Sequence, residues 1–315
     1  MAISSVTFRV DGRQCYADIV QTAAARRTVI IGQYSKIITE QAQTINLTPY
    51  LREMFKYSAP TEEGDLLRDN RAVLPVVTID GVDYYADRVY NGSSNMAQVA
   101  TKLPYRLIAP QQTDVLYCGN VYDDEGVKIY YNDTQINGET PDSNAGNAIS
   151  ILSMRVGGIT QSGDVKVQYY HQQGGIESEH IIRYVVKPMG LNGVRLAWIN
   201  ELGGVDMWNF DHLREQTYTA KVDKIYTADG YKNIGAETET QTIVESRELP
   251  KDALEALSYI LCSPAVWLVK DVRYMGLEES HFTPIDIISD SCRVYSDAEL
   301  STLEIAYRKN KREKW

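Results

Sequence analysis

Two short segments of this chain alternate apolar and polar residues around an Asp-Gly pair. They are VTFRVDGRQCYADIV at residues 6–20 and VLPVVTIDGVDYYADRV at residues 73–89. Asp-Gly supplies the positive φ angles of a two-residue hairpin turn, so the pattern demands antiparallel strands. Asp11, Gly12, Tyr16, Ala17, Asp18 and Val20 recur as Asp80, Gly81, Tyr85, Ala86, Asp87 and Val89, all offset by 69. This is either a duplicated hairpin or two independent hairpins of the same chemistry. A single repeat is too little for a solenoid, which needs about three. Tyrosine strengthens the β reading: 22 Tyr stand against 4 Phe. Tyr suits half-buried strand faces and interfaces, where the ring is covered and the hydroxyl stays wet.

A chain of 315 residues favours two or three domains of roughly 100–200 residues. Residues 1–103 read as a β unit with one short helix. In INLTPYLREMF (45–55), Thr48 is a good N-cap, Pro49 fits the first turn, and Tyr50, Leu51, Met54 and Phe55 give an apolar face. YSAPTEEGD and NGSSN follow as loops. Residues 104–190 read as a sandwich-like unit, its position compatible with insertion into a body formed by the two ends. Its clearest element is a hairpin across Gly174-Gly175, with arms Lys166–His171 and Glu179–Val186. NGETPDSNAGN is a loop. Residues 191–315 open on LAWINELGGVDMWNF, where Trp198 and Trp208 flank Gly203-Gly204. Alternation puts Leu196, Trp198 and Asn200 on one face, and Asp206, Trp208 and Phe210 on one face of the return arm; the register between the arms stays open. Ala253, Leu254, Leu257, Ile260 and Leu261 then recur at helical spacing between Pro250 and Pro264. Strands close the chain, one alternating Leu303, Ile305 and Tyr307. The fold class expected is mainly β, with two or three β-sandwich-like units and a few short helices.

Chemistry is harder to find. No phosphate-binding glycine loop, nucleophile elbow or H-E-x-x-H helix is present. Cys15, Cys118, Cys262 and Cys292 are scattered and lack the paired spacing of structural zinc. His171 and His180, with Glu177 and Glu179, could face each other across their hairpin as metal ligands, but exposed hairpin residues are the simpler reading. Asp123, Asp124 and Glu125 lack the ligand spacing of a calcium loop and read as a turn. Carboxylate pairs for glycoside hydrolysis are defined in space, and no pair stands out among 42 acidic residues. No catalytic residue, cofactor or metal is assigned, and the chain is not expected to be an enzyme.

A net charge of −10 makes a poor nucleic-acid binder unless basic residues cluster. They do so once, where Arg308, Lys309, Lys311, Arg312 and Lys314 form a solvated tail or a candidate docking tail. The N-terminus lacks a signal-peptide pattern, and no run of about 18 apolar residues suggests a membrane helix, so a soluble product of a cytoplasm is expected. The tryptophans Trp198, Trp208 and Trp267, with Phe210, are candidates for core or interface packing, or for a sugar platform.

The stretch WINELGGVDMWNF within Asn192–Phe210, the Ile45–Arg52 helix and the Leu254–Leu268 segment together resemble structural proteins from the tail modules of phages and prophages of Bacteroides-type bacteria. The likeness is spread over most of the chain as a pattern of hydrophobics and glycines. It implies a virion subunit of a tail tip, baseplate or tail adaptor, forming rings with itself and meeting neighbouring tail proteins, made in the host cytoplasm and carried in the virion. Ring contacts would be head-to-tail and closed by cyclic symmetry. The alternatives are a carbohydrate-binding module with an exposed tryptophan, bound to a surface glycan, and a hydrolase whose acids the sequence does not reveal.

Overall fold

A computed structural model describes residues 3–11, 14–54, 72–73, 76–85, 89–90, 99–122, 125–139, 149–171, 175–190, 192–274, 277–290, 300–309 and 313–314. The YSAPTEEGD and NGSSN loops, Phe55, Asp123, Asp124, Gly174, Lys311, Arg312 and most of NGETPDSNAGN lie outside the described residues. The fold is mainly β, with sandwich-like units and, among the described residues, two short helices.

The N-terminal strands are β1 (Ile3–Asp11), β2 (Gln14–Gln21), β3 (Arg27–Ile31), β4 (Tyr34–Ile38), β5 (Ala42–Asn46), β6 (Ala72–Val73), β7 (Val76–Ile79), β8 (Val82–Tyr85) and β9 (Val89–Tyr90). A β1-β2-β5 sheet and a β4-β3-β7-β8 sheet share one core, with Ala17, Ile19 and Ile45 from the first and Val29, Ile38 and Val77 from the second. The two hairpins therefore serve different sheets; in the first, Asp11 pairs with Gln14 and the turn residues 12 and 13 lie outside the described residues, whereas Ile79 pairs with Val82 across Asp80-Gly81. Asp80 and Gly81 have φ of 53° and 80°, the two positive values such a turn requires. Helix α1 (Thr48–Met54) starts where expected, with Thr48 as its first residue, one position past the cap, where Leu47 O accepts from Tyr50 and Leu51 N–H. The Thr48 hydroxyl accepts the Cys15 N–H at 2.8 Å and ties the helix to β2.

The middle strands are β10 (Tyr105–Ile108), β11 (Asp114–Tyr122), β12 (Glu125–Tyr131), β13 (Thr134–Glu139), β14 (Ile149–Val156), β15 (Gly163–His171) and β16 (Ile176–Val186). A β10-β16-β15-β12-β13 sheet faces the β11-β14 pair across Ile129, Val167, Tyr169, Leu116 and Met154. The β15–β16 register sets His180 opposite Val167 and Glu125 beside His171, so the two histidines do not face each other. His180 instead lies edge-on to Tyr169.

The C-terminal strands are β17 (Val194–Ile199), β18 (Val205–Phe210), β19 (His212–Thr227), β20 (Gly230–Glu245), β21 (Leu249–Pro250), β22 (Val266–Tyr274), β23 (Leu277–Ile287), β24 (Leu300–Ser301), β25 (Glu304–Lys309) and β26 (Glu313–Lys314). The main sheet runs β18-β17-β22-β23-β25-β20-β19, with β26 also on β20. Its two edge strands, β18 and β19, are separated in sequence only by Asp211. A sheet whose first and last strands are nearly continuous has to curl. Helix α2 (Lys251–Ser258) fills the curl, and its buried Ala253, Leu254 and Leu257 pack among Leu196, Trp208 and Ile305. A 3₁₀ turn over Tyr259–Cys262 continues α2, and Ser263 is extended as a residue before proline must be.

Candidate assembly surface

The register of β17 on β18 answers the question of the paired tryptophans. Trp198 is opposite Asp206 and Leu196 opposite Trp208, so both rings lie on one face, diagonal to each other. Trp198, Trp208 and Phe210 are fully buried in the curl, and Trp267 is buried in a second core on the other face. Tyr105 from the middle unit tilts against Trp208 with ring centroids 5.4 Å apart. None of the three tryptophans offers a ring to a ligand.

The two glycines between them have separate reasons. Gly203 has a φ of 85°. Gly204 lies against the chain at residue 100, where a Cβ would come 2.4 Å from the Ala100 carbonyl oxygen. Asn200 closes the turn. Its side-chain oxygen accepts from Leu202 N–H at 2.9 Å and Gly204 N–H at 3.1 Å, and its amide donates to Ala100 O at 2.6 Å. The turn thus holds the C-terminal unit to the segment that leads into the middle unit.

A buried charge cluster strengthens that junction. Arg106 of β10, Asp114 of β11, Arg195 of β17 and Asp206 of β18 are each at most about 2% exposed. Arg106 Nη2 lies 2.7 Å from Asp206 Oδ1, and its Nε is 3.9 Å from Asp114. Arg195 Nη2 is 3.7 Å from Asp114, and the Tyr184 hydroxyl donates to Asp114 at 2.8 Å. Burial lowers the Arg106 pKa, but Asp206 and Asp114 outweigh it and hold the guanidinium charged. Burial raises the Asp206 carboxyl against the pull of Arg106. The Asn209 amide donates to Gln112 at 2.8 Å alongside. Partners so widely separated in sequence are invisible to any local reading.

From this rigid body β19 and β20 project as a ribbon. Each is 16 residues, roughly 50 Å at about 3.4 Å per residue. Its root is paired on β25 from Gln241 to Glu245, and β26 adds a short third strand at Glu237 and Thr238. Beyond that the ribbon continues as two strands. Val244 and Thr242 are buried at the root, and alternation continues their face outward through Gln216, Tyr218, Ala220, Val222, Lys224 and Tyr226, with Thr240 opposite Tyr218 and Tyr231 paired to Tyr226. Tyr218, Tyr226 and Tyr231 are 72%, 76% and 77% exposed. A shift in register at Asp223 and Lys224 places a bulge near the tip, where Ile225 and Ile234 are also exposed. The opposite face carries Thr217, Thr219, Asp223, Ile225 and Glu239. Where the inner face leaves the body it borders a cleft of about 430 Å³, lined in part by Gln216, Thr242, Leu268 and Tyr307.

The basic cluster of the C-terminus is divided. Arg308 lies in β25, where it binds Asp286 at 2.7 Å and Glu239 at 3.3 Å. Lys309 ends the same strand, and Lys314 pairs through its backbone with Glu237. Arg308 and the β26 pairing therefore brace the ribbon root, and Arg308 is committed to acids of its own chain. The ribbon itself went unread in the sequence, although Asp229-Gly230 and the alternation of Tyr218, Ala220 and Val222 mark it.

Among the described residues no group of three or more His, Cys, Asp and Glu side chains gathers as a metal site, and no helix is long and apolar enough to cross a membrane. No family model matches the chain, and no curated protein matches it. Among solved structures it is similar to two titin tandems. The I9–I11 tandem is 5% identical, covering 77% of this chain and 95% of its own, with a TM-score of 0.21. A variant of the I67–I69 domains is 11% identical, covering 78% and 94%, also with a TM-score of 0.21.

Proposed function

We propose that this chain is a structural subunit of a phage tail or related tail-like particle, at a tail tip, baseplate or adaptor ring, and works by ordered assembly with itself and neighbouring tail proteins. The observation that carries the assembly reading is the β19–β20 ribbon, which holds the rings of Tyr218, Tyr226 and Tyr231 about three-quarters exposed on one face beyond the buried root. An isolated two-stranded ribbon is marginal in water, and exposed aromatic rings on one face favour a cover. The fused core behind it suits a component that carries load. The tail assignment rests on the sequence resemblance, which the ribbon supports only in requiring partners.

The test is native mass by light scattering with negative-stain imaging over a concentration series. Discrete oligomers or rings are expected. A monomer at all concentrations that also hydrolyses a glycan or peptide would sink the proposal.

A further inference from the structure

We infer that the inner face of the ribbon is covered by the same face of a second copy, packed antiparallel about a two-fold axis near Val222. This rests on the assembly reading and names the partner of its surface. Tyr218 and Tyr226 stand four residues either side of Val222 on one face. A two-fold through Val222 brings Tyr218 of each copy level with Tyr226 of the other. It also brings Ala220, which is small, level with the long stem of Lys224. Both ends of the contact become tyrosine pairs whose hydroxyls reach the rim, and the two Lys224 ammonium groups lie on opposite sides of the axis. Face-to-face sheets of this kind pack about 10 Å apart.

The available area suits this occupant. An aromatic side chain buries about 150–250 Å², so three rings at about three-quarters exposure offer roughly 350–550 Å². Ala220 and Val222 bring one face to roughly 400–650 Å², and two faces to roughly 800–1,300 Å², reaching the lower end of the roughly 1,200–2,000 Å² of specific interfaces. Such a contact is closed on itself and joins copies in pairs. Any ring then closes through other surfaces.

The experiment uses the full chain with Cys262→Ser and Cys292→Ser, spin-labelled at Asp223→Cys or, separately, at Asp229→Cys. Asp223 is beside the axis and Asp229 is at the turn. Pulsed dipolar spectroscopy is expected to give an intermolecular distance of about 20–30 Å at Asp223. At Asp229 about 45–50 Å is expected, from seven residues of strand in opposite directions. Tyr218→Ser with Tyr226→Ser, both exposed and checked for fold by circular dichroism, should weaken pairing at least 100-fold by light scattering. Oligomers that persist in the tyrosine variant, or that give no distance below about 40 Å at Asp223, overturn the ribbon contact and leave the assembly reading standing. A strict monomer up to millimolar concentration overturns both self-pairing and homo-oligomeric assembly.

Discussion

Replacing Asp206 with Asn tests whether the middle and C-terminal units are held by the buried charges between them. The side chains of Arg106 and Asp206 are 1% and 3% exposed, and their contact is 2.7 Å. Breaking a buried pair by removing one partner costs about 3–5 kcal/mol, because the remaining charge stays out of water. Asp114 is still within 3.9 Å of Arg106 but is shared with Arg195 and Tyr184, so it compensates in part. A loss of about 3 kcal/mol is expected. For a cooperative unit of about 200 residues this lowers Tm by roughly 6–12 °C. Urea melts followed by tryptophan fluorescence read the change directly, since Trp198 and Trp208 are buried in the adjoining core. Arg106→Met with Asp206→Leu removes both charges and should recover most of the loss. A cost under about 1 kcal/mol for Asp206→Asn, or a double variant no better than the single, would refute the reasoning.

Gly204→Ala should destabilise by about 1–3 kcal/mol in the same melts, because its Cβ meets backbone at Ala100 that Asn200 holds in place. Burial, reinforced by Asp114, raises the Tyr184 phenol well above 10. Its contribution to stability is therefore complete below pH of about 10 and is lost as pH rises from there towards the folded-state value; Tyr184→Phe should flatten that alkaline slope in pH-dependent melts. Burial pushes the Cys118 thiol up to about 12, whereas Cys262 is exposed. Brief iodoacetamide treatment followed by peptide mass spectrometry should modify Cys262 and leave Cys118 intact.

The parts of the fold legible in sequence are those whose cause is local. Asp80-Gly81 specifies its turn through φ alone, Pro250 and Pro264 bracket α2 and its 3₁₀ extension, and Gly203-Gly204 marks the reversal between β17 and β18. Thr48 shows the limit: its residue type fits an N-cap, but tertiary structure uses its hydroxyl for Cys15. Arg106 and Asp206 are 100 residues apart and look like ordinary surface charges until the strands meet. The ribbon had a turn signal at Asp229-Gly230, but the threonines and charges along both arms dilute the apolar alternation that distinguishes a strand. How far the ribbon runs with only two strands depends on where β25 and β26 stop, and that is a property of the folded sheet.

The one-residue link at Asp211 has a mechanical consequence. Asp211 is clasped by Arg247, and on either side of it the chain is the last strand of the core and the first strand of the ribbon. A pull on the ribbon therefore reaches the body in part through Phe210 and Trp208. That path runs into the six-residue ladder of β18 on β17, while the other ribbon strand carries its share into the β20–β25 ladder. A ribbon spliced in this way transmits tension into the most deeply buried rings of the molecule, as a tie rod does into a wall.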